Sequence, residues 1–500
     1  MTIRTRFAPS PSGNLHIGGV RTALFNYLFA KKHNGKFILR IDDTDEARNL
    51  EYVIKPIFDG LRWLGIEPDE NPIYQSSRKE KYRKIAEDML KMGLAYPDQP
   101  VKLEDKGHKP YRGTHRNIGP DNAYALYDDT GWAIRFKVPD SERIVLDDLI
   151  RGNVAWDTDR LSDPIILRSN GTATYNFATA VDDAEMKITH VIRAEEHLSN
   201  TPIQLLIMDA LGHVPPFYAH LPFVCEPNSK KKLSKRDMGK FITPEIVKKL
   251  NQVGFSDNEI STREELNPAC VSFYQCLGYK PAGIVNYLAR LGWSLDDKTE
   301  IMNIESLKSN FGLDRINSSP AQFDTKKMLW VNAEHVKMDD LDTRTLNCME
   351  FLIEAKLIQR MKVQDELDKA RAVVKLCGDR IKCYSDILPC AAFFWRIPEL
   401  VKEDFDKYVT VEMAQLFDII TRIFREMKDW SASNIDLAVR TFMNARSLKP
   451  NSMIFAIRVA LCGHNLGPSL FESMELLGRD ESIKRMYMAM VKRLQPFGGS

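Results

Sequence analysis

None of the eight cysteines in this 500-residue chain precedes Cys225. The first two hundred residues therefore hold no disulfide and no thiolate-bound zinc. The later cysteines do not form the framework of a small secreted domain, and the pairs Cys270/Cys276 and Cys377/Cys383 are spaced too widely for a zinc knuckle. Free thiols in a reducing compartment are the expectation. No apolar run approaches the roughly twenty residues of a membrane span, and the N-terminus shows no signal-peptide pattern. These two absences lead to a cytoplasmic protein with no membrane partner. Charge of one sign is lacking as well. Seventy Lys and Arg against 68 Asp and Glu leave a net charge of +2, which excludes a uniformly basic nucleic-acid coat but permits local basic surfaces. With 44% hydrophobic and 28% charged residues, the chain has the composition of a globular protein with several cores, and its length suggests about three or more domains.

Chemistry is concentrated near the start. Residues 3–8 read as a short strand ending at Pro9, which cannot donate to a ladder. Pro9, Pro11 and Gly13 break the chain into a loop. Val20, Ala23, Leu24, Tyr27 and Leu28 then recur at helical spacing, and the helix stops near Asn34-Gly35. Residues 37–41 form a buried-type apolar run. Strand, loop, helix and strand make one βαβ unit, the building block of a parallel sheet whose ligand crevice lies at the strand ends. His16, Gly18 and Gly19 fall where the helix begins. A helix start carries unpaired N–H groups and partial positive charge, so it attracts phosphate, and glycine lets a ligand approach the backbone. An imidazole donor added there fits an anion in the site better than it fits helix stability, although a capped helix with an incidental His would give the same short pattern.

The whole string is more specific. R-F-A-P-S-P-S-G-N-L-H-I-G-G-V-R-T-A-L-F-N-Y-L-F-A, followed by R-I-D-D-T-D, resembles the first signature of class I aminoacyl-tRNA synthetases, and bacterial-type glutamyl-tRNA synthetases in particular. Gly19 stands where that family often lacks the second His, and Asp42 stands where it usually has Glu.

Further along, helices are expected around residues 52–64 and from a serine cap at residues 75–77 to Gly93. Residues 96–130 turn polar. Strand-like runs follow at 132–138, 144–146, 154–156 and 164–168, with an Asn170-Gly171 turn. This reads as an α+β insertion between two halves of the nucleotide fold. In the resembled family such a region holds the tRNA acceptor end, and some members carry zinc there on cysteines. Here His108 and His115 alone cannot build that site, so no structural zinc is expected. Residues 110–117 resemble the family's stretch there, and as a basic loop they read equally well as solvated.

T-Y-N-F-A-T-A-V-D-D leads into a strand ending V-I-R-A-E-E-H, and Thr201-Pro202 opens a helix. Arg193 at that strand's end faces the crevice. Its planar fork suits bidentate binding of a carboxylate; the alternative is a surface pair with Glu195 or Glu196. Residues 217–225 form another strand before Lys232-Leu233-Ser234-Lys235-Arg236, which resembles the second class I signature. A run of about thirty residues, 237–269, reads as inserted before the family pattern resumes at Gly278 and at Asn286 to Trp293. From Phe323 onward the pattern is helical, over residues 346–357, 364–376, 411–427, 435–444 and 453–461.

The expected architecture is multidomain. A Rossmann-like α/β catalytic domain (1–95 and 176–240) is interrupted by an α+β insertion (96–175). A stem-contact region (241–322) and an all-α anticodon-binding region (323–500) follow. The resemblance implies ATP-dependent activation of L-glutamate and transfer to tRNA for glutamate, with tRNA for glutamine left open, and a monomer. It assigns His16, Lys232 and Lys235 to catalysis. Gly18, Gly19, Ser234 and Lys235 would bind ATP, which arrives with Mg²⁺, and no protein-held metal is implied. Arg6, Tyr175 and Arg193 would read the side-chain carboxylate, with Ser10 and Asp42 toward the amino group. Thr179 stands where Asn is common. The rivals are a glutaminyl-tRNA synthetase, whose anticodon part is rich in β-barrel, a small-molecule adenylyltransferase, which would not need the last two hundred residues, and a non-catalytic tRNA-binding paralogue.

Overall fold

The computed structural model describes residues 2–11, 13–44, 51–99, 110–233 and 239–495. The chain divides into two compact units: residues 1–240, 267–273 and 284–325 form the first, and 241–266, 274–283 and 326–500 the second.

The first unit is built on a five-stranded parallel sheet in the order β10-β9-β1-β2-β3. Its strands are β1 (Arg4–Phe7), β2 (Lys36–Ile41), β3 (Ile73–Tyr74), β9 (His190–Ala194) and β10 (Phe217–Leu221). From β1 the order runs one way to β2 and β3, and the other way to β9 and β10. The carboxyl ends of β1 and β9 therefore flank a topological switch point, where an open α/β sheet leaves a crevice. Helix α1 (Ile17–Lys32) packs on this sheet and against the helix Ile304–Asn310. Covered on both sides, it buries almost its whole circumference, including Ile17, Val20, Ala23, Leu24, Phe25 and Leu28. Phe25 meets Phe311 edge-on with ring centroids 4.9 Å apart. Asn26 ties the layers together, its amide donating to Ile192 O of β9 (2.9 Å) and to Thr22 O (2.8 Å).

After α2 (Glu51–Trp63) and α3 (Lys79–Lys91), the insertion comprises an antiparallel sheet and a hairpin. The sheet is β4-β5-β8 (Ala95–Asp98, Ala133–Phe136, Ile165–Leu167), and the hairpin is β6 (Arg143–Asp148) with β7 (Gly152–Asp157). Two expectations change here. The serine cap does not form, because α3 is preceded by a 3₁₀ turn over Gln75–Arg78 and Ser76 donates instead to Asp43. The polar stretch contains a helix, α4 (Pro120–Thr130), started by proline and ended by Gly131 at φ 60°. The basic loop around residue 112 is not solvated either: Arg112 and Arg116 both pair with the buried Asp163, which also accepts from Tyr96 Oη and Val138 N. His108 lies outside the described residues. Helices α5 (Tyr175–Glu185) and α6 (Thr201–Ala210) return the chain to the parallel sheet. The expected strand over 217–225 splits at Pro222, and its second part, β11 (Val224–Cys225), pairs with β12 (Ala321–Gln322).

The second unit is helical. Its core includes Phe417, Phe424, Ile457 and Met486. Helices Leu341–Glu354, Val363–Cys377, Val411–Glu426, Ala432–Ala445 and Ser452–Cys462 occupy the expected positions, and Leu470–Leu477 and Arg479–Leu494 extend them. The inserted run contributes α7 (Pro244–Val253) and α8 (Asp257–Thr262) to this unit, where Lys249 Nζ lies 2.6 Å from Asp386 Oδ1. Residues 241–322 are thus shared between the two units rather than gathered in one. None of the eight cysteines is in a disulfide, and no helix among the described residues is long and apolar enough to cross a membrane.

Because the Asn26 amide joins α1 to β9 across a dry interface, Asn26→Ala is expected to cost about 1–3 kcal/mol. Chemical denaturation of the purified protein checks this.

Candidate active site

A cavity of about 600 Å³ opens at the switch point. Its walls come from the loop after β1 (Ala8, Pro9, Ser10, Gly13), the start of α1 (His16, Gly18, Gly19), the end of β9 (Arg193, Glu196, His197) and the turn carrying Lys232 and Leu233. Arg6, Arg40 and Tyr175 also line it. Every expected site residue among those described reaches this one cavity except Asp42. Ser234 and Lys235 lie outside the described residues.

At the helix start, His16 is the N-cap of α1, and its Nδ1 accepts the Gly18 N–H at 3.0 Å. The imidazole thus does serve helix stability, by satisfying one of the donors a helix start leaves open. With Nδ1 accepting, the proton of the neutral ring sits on Nε2. A side chain at Gly19 would meet only Phe7 Cζ at 3.6 Å and Leu15 Cδ1 at 3.9 Å, ordinary contacts. Packing therefore does not require glycine there.

The floor is a cluster of buried charges. Asp183 receives Arg6 through Nε (3.1 Å) and Nη2 (3.2 Å), and Arg40 Nη1 at 2.6 Å. Arg40 also grips Asp42 through Nε (2.7 Å) and Nη2 (3.3 Å). Asp182 accepts from Gln75, Arg78 and Tyr82. Burial, together with the neighbouring Asp182 and Asp183, pushes the Asp42 carboxyl up to about 6 against the pull of Arg40. Burial works against Asp183 too, but Arg6 and Arg40 overcome it and hold that carboxyl below the usual range. Asp42 turns its two oxygens to Arg40 and does not line the cavity.

Arg193 differs from the other two arginines. It is 5% exposed, and among the described residues no carboxylate pairs with it. Glu195 pairs with Arg151, and Glu196 with Lys232. The Arg193 guanidinium instead donates to neutral acceptors: Nε to His220 Nε2 (3.2 Å), Nη1 to Gln204 Oε1 (2.8 Å), and Nη2 to Thr201 Oγ1 (2.9 Å) and His197 O (3.2 Å). With one N–H for each acceptor, one remains on Nη1. Burial lowers this arginine's pKa. Tyr175 Oη lies 3.4 Å from His197 Nδ1, and burial together with the Arg193 charge lowers His197 to about 4. The ring is therefore neutral at pH 7. Thr179 is buried on α5 and does not line the cavity.

Arg40, Asp182, Asp183 and His197 lie within the quoted strings but were given no role there, and Gln204 and His220 lie outside them. Arg40 carries a further signal, as a charge inside the apolar run Phe37 to Ile41. Among the described residues, no group of three or more His, Cys, Asp or Glu could hold a metal ion.

A helix start, a lysine turn and a buried cation lining one cavity at the switch point agree with comparisons to known proteins. Residues 2–255 and 242–330 match the family of class I tRNA synthetases (E and Q), catalytic domain, and residues 347–490 match the anticodon binding domain family. The chain belongs to the glutamate–tRNA ligase family of class I aminoacyl-tRNA synthetases. It is 37% identical over 503 residues to glutamate–tRNA ligase 2 of Thermoanaerobacter pseudethanolicus, covering 98% of each chain. It is 36% identical to glutamate–tRNA ligase of Methylobacillus flagellatus, covering 97% of this chain and 98% of that one. Among solved structures it is similar to a glutamate tRNA ligase from Elizabethkingia meningosepticum in complex with its amino acid. That match has a TM-score of 0.81 and 31% identity, and covers 98% and 99% of the two chains.

The half-buried His190 is also held neutral, lowered to about 4 by burial and by the nearby His33. An unfolded imidazole takes up a proton below about 6.5, so His190 and His197 contribute stability at neutral pH that is lost as pH falls from about 6.5 to about 4. Asp42 acts in the opposite sense, contributing stability that is lost as pH rises from about 4 to about 6. With two groups against one, the melting temperature should fall on acidification, and His190→Gln should flatten that fall. Parallel melting curves across pH 4–7 would contradict the assignment.

Proposed function

We infer that this chain activates L-glutamate with ATP and joins it to the 3′-terminal adenosine of tRNA. The observation that carries the reading is Arg193, a buried cation on the cavity wall with no acidic partner among the described residues. Burying a charge is costly unless it is compensated, and a substrate carboxylate compensates this one. Arg6, with its Nη1 edge not engaged by Asp183, and the Tyr175 hydroxyl line the same cavity, so they would share that carboxylate. Ser10 would meet the amino group.

In the first step a glutamate α-carboxylate oxygen bonds to the α-phosphorus of ATP, and the bond to the leaving pyrophosphate breaks. A carboxylate is already a nucleophile, so the protein has to position it and neutralise charge rather than remove a proton. His16, Gly18 and Gly19 at the helix start would hold phosphate oxygens, and the glycine backbone leaves room for them. Lys232, now paired with Glu196, would exchange that partner for the triphosphate. Lys235 would add a second positive charge on the α-phosphate, and Ser234 would contact the nucleotide. Mg²⁺ arrives with ATP as its counterion. In the second step the adenosine hydroxyl attacks the carbonyl of the mixed anhydride, and AMP leaves. The helical second unit would read the anticodon of tRNA for glutamate, and the enzyme would act as a monomer.

The direct test is exchange of labelled pyrophosphate into ATP, with glutamate or glutamine and with or without total tRNA. Exchange with glutamate only, and only with tRNA present, is the expected result; exchange with glutamine would overturn the substrate. Lys235→Ala is expected to reduce exchange more than about a hundredfold while leaving tRNA affinity nearly unchanged. Equal loss of both would contradict its role.

A further inference from the structure

The Arg193 side chain is held by a relay that begins outside the catalytic sheet. His220 on β10 lies directly across from Arg193 on β9 in the parallel register. Its Nε2 accepts the Arg193 Nε–H at 3.2 Å and also lies 3.2 Å from Thr201 Oγ1. Its Nδ1 lies 2.5 Å from Oδ2 of Asp148, the last residue of β6 in the inserted hairpin. Asp148 is fixed in turn by the N–H groups of Ile150 (3.0 Å), Arg151 (2.9 Å) and His220 (3.2 Å to each oxygen). His220 is 0% exposed and Asp148 2%.

We propose that Asp148 and His220 are positioning residues for amino-acid recognition, fixing the imidazole tautomer that aims the Arg193 guanidinium into the cavity. The argument rests on what each atom can donate. An ionised carboxylate only accepts, so the Nδ1 facing Asp148 carries the ring proton. The neutral ring then presents a bare lone pair at Nε2, and Arg193 Nε–H is directed at it. Were the proton on Nε2, two donors would face each other and the guanidinium would have to turn. Burial and the neighbouring Arg193 and Arg6 keep the ring neutral, against the pull of Asp148. With Nε, Nη2 and one side of Nη1 thus engaged, the single N–H left on Nη1 has one direction. The same logic makes the carboxylate of a Ser-His-Asp triad an orienting group that sets the histidine tautomer. Here the oriented group is a substrate-binding cation rather than a nucleophile.

This proposal rests on Arg193 contacting the substrate carboxylate, so Arg193→Lys is the reference variant. Aminoacylation kinetics in glutamate, ATP and tRNA are measured for Arg193→Lys, Asp148→Asn, His220→Asn and His220→Gln, each with its melting temperature. Asparagine at 220 can donate to Asp148 from the Nδ1 position but has no atom at Nε2. Glutamine reaches the Nε2 position with an acceptor and gives up Asp148. The expected order is a rise in the KM for glutamate of about tenfold or more for Asp148→Asn and His220→Asn, and about threefold for His220→Gln, with the KM for ATP moving little. A purely structural role reverses the His220 pair, because His220→Asn keeps the shorter bond. Equal or reversed effects at 220 overturn the relay. An unchanged KM for glutamate in Arg193→Lys overturns the substrate contact instead. Should Asp148→Asn fail to fold, the His220 pair alone decides.

Discussion

The site depends on where three buried arginines find their counter-charge. Arg6 ends on Asp183, and Arg40 is shared between Asp42 and Asp183, so both are neutralised within the protein. Arg193, in equally dry surroundings, is met only by neutral acceptors. A cation so placed loses solvation that the protein does not return, and burial lowers its pKa accordingly. No carboxylate among the described residues supplies the missing charge. Asp183 beneath offsets Arg40 and two of the three nitrogens of Arg6, so the uncompensated charge of the cavity is centred on Arg193.

The phosphate side of the cavity follows another economy. Helix α1 is buried nearly all round, which fixes its axis and therefore the direction of its first N–H groups. His16 caps one of them through Nδ1, so helix stability draws on one nitrogen of the ring and leaves the cap independent of the other. Lys232, by contrast, is held only by a half-exposed pair with Glu196, an interaction of little energy. It is easily exchanged for a triphosphate. Rigid donors and a loosely held cation face each other, as expected where one partner must be preorganised and the other must follow the substrate.

Much of this was legible in the sequence, for reasons that can be named. The βαβ unit at residues 3–41 shows through because periodicity changes where the structure changes, and Pro9 and Asn34-Gly35 mark the ends. His16, Lys232 and Arg193 were found because they belong to contiguous strings at element ends. The supporting residues were not, because they meet only in three dimensions: Asp148, Gln204 and His220 come from a hairpin, a helix and a strand, three separate elements of the chain. A serine before an amphipathic run reads as a cap, yet Ser76 is taken by Asp43, a partner 33 residues away. Helix α4 was hidden by a polar composition that suits its half-exposed position, although Pro120 and Gly131 bracket it.

Asp42 shows how one shortened side chain redistributes work. The sequence places it where relatives of this kind usually carry Glu, and a bridging water would have been enough to restore a contact with the ligand. The structure takes another course. Asp sits at the right length for both its oxygens to meet Arg40, at 2.7 Å and 3.3 Å, and Arg40 in turn braces Asp183 and through it Arg6. A carboxylate in that chain bears on the cavity through the arginines it holds. Its raised pKa, about 6, follows from burial first and from the neighbouring Asp182 and Asp183 second. Arg6 is thereby fixed by a bracing chain from one side of the sheet, and Arg193 by the Asp148–His220 relay from the other. The two cations that face the ligand are held by separate, non-overlapping supports, so a change in one support leaves the other in place.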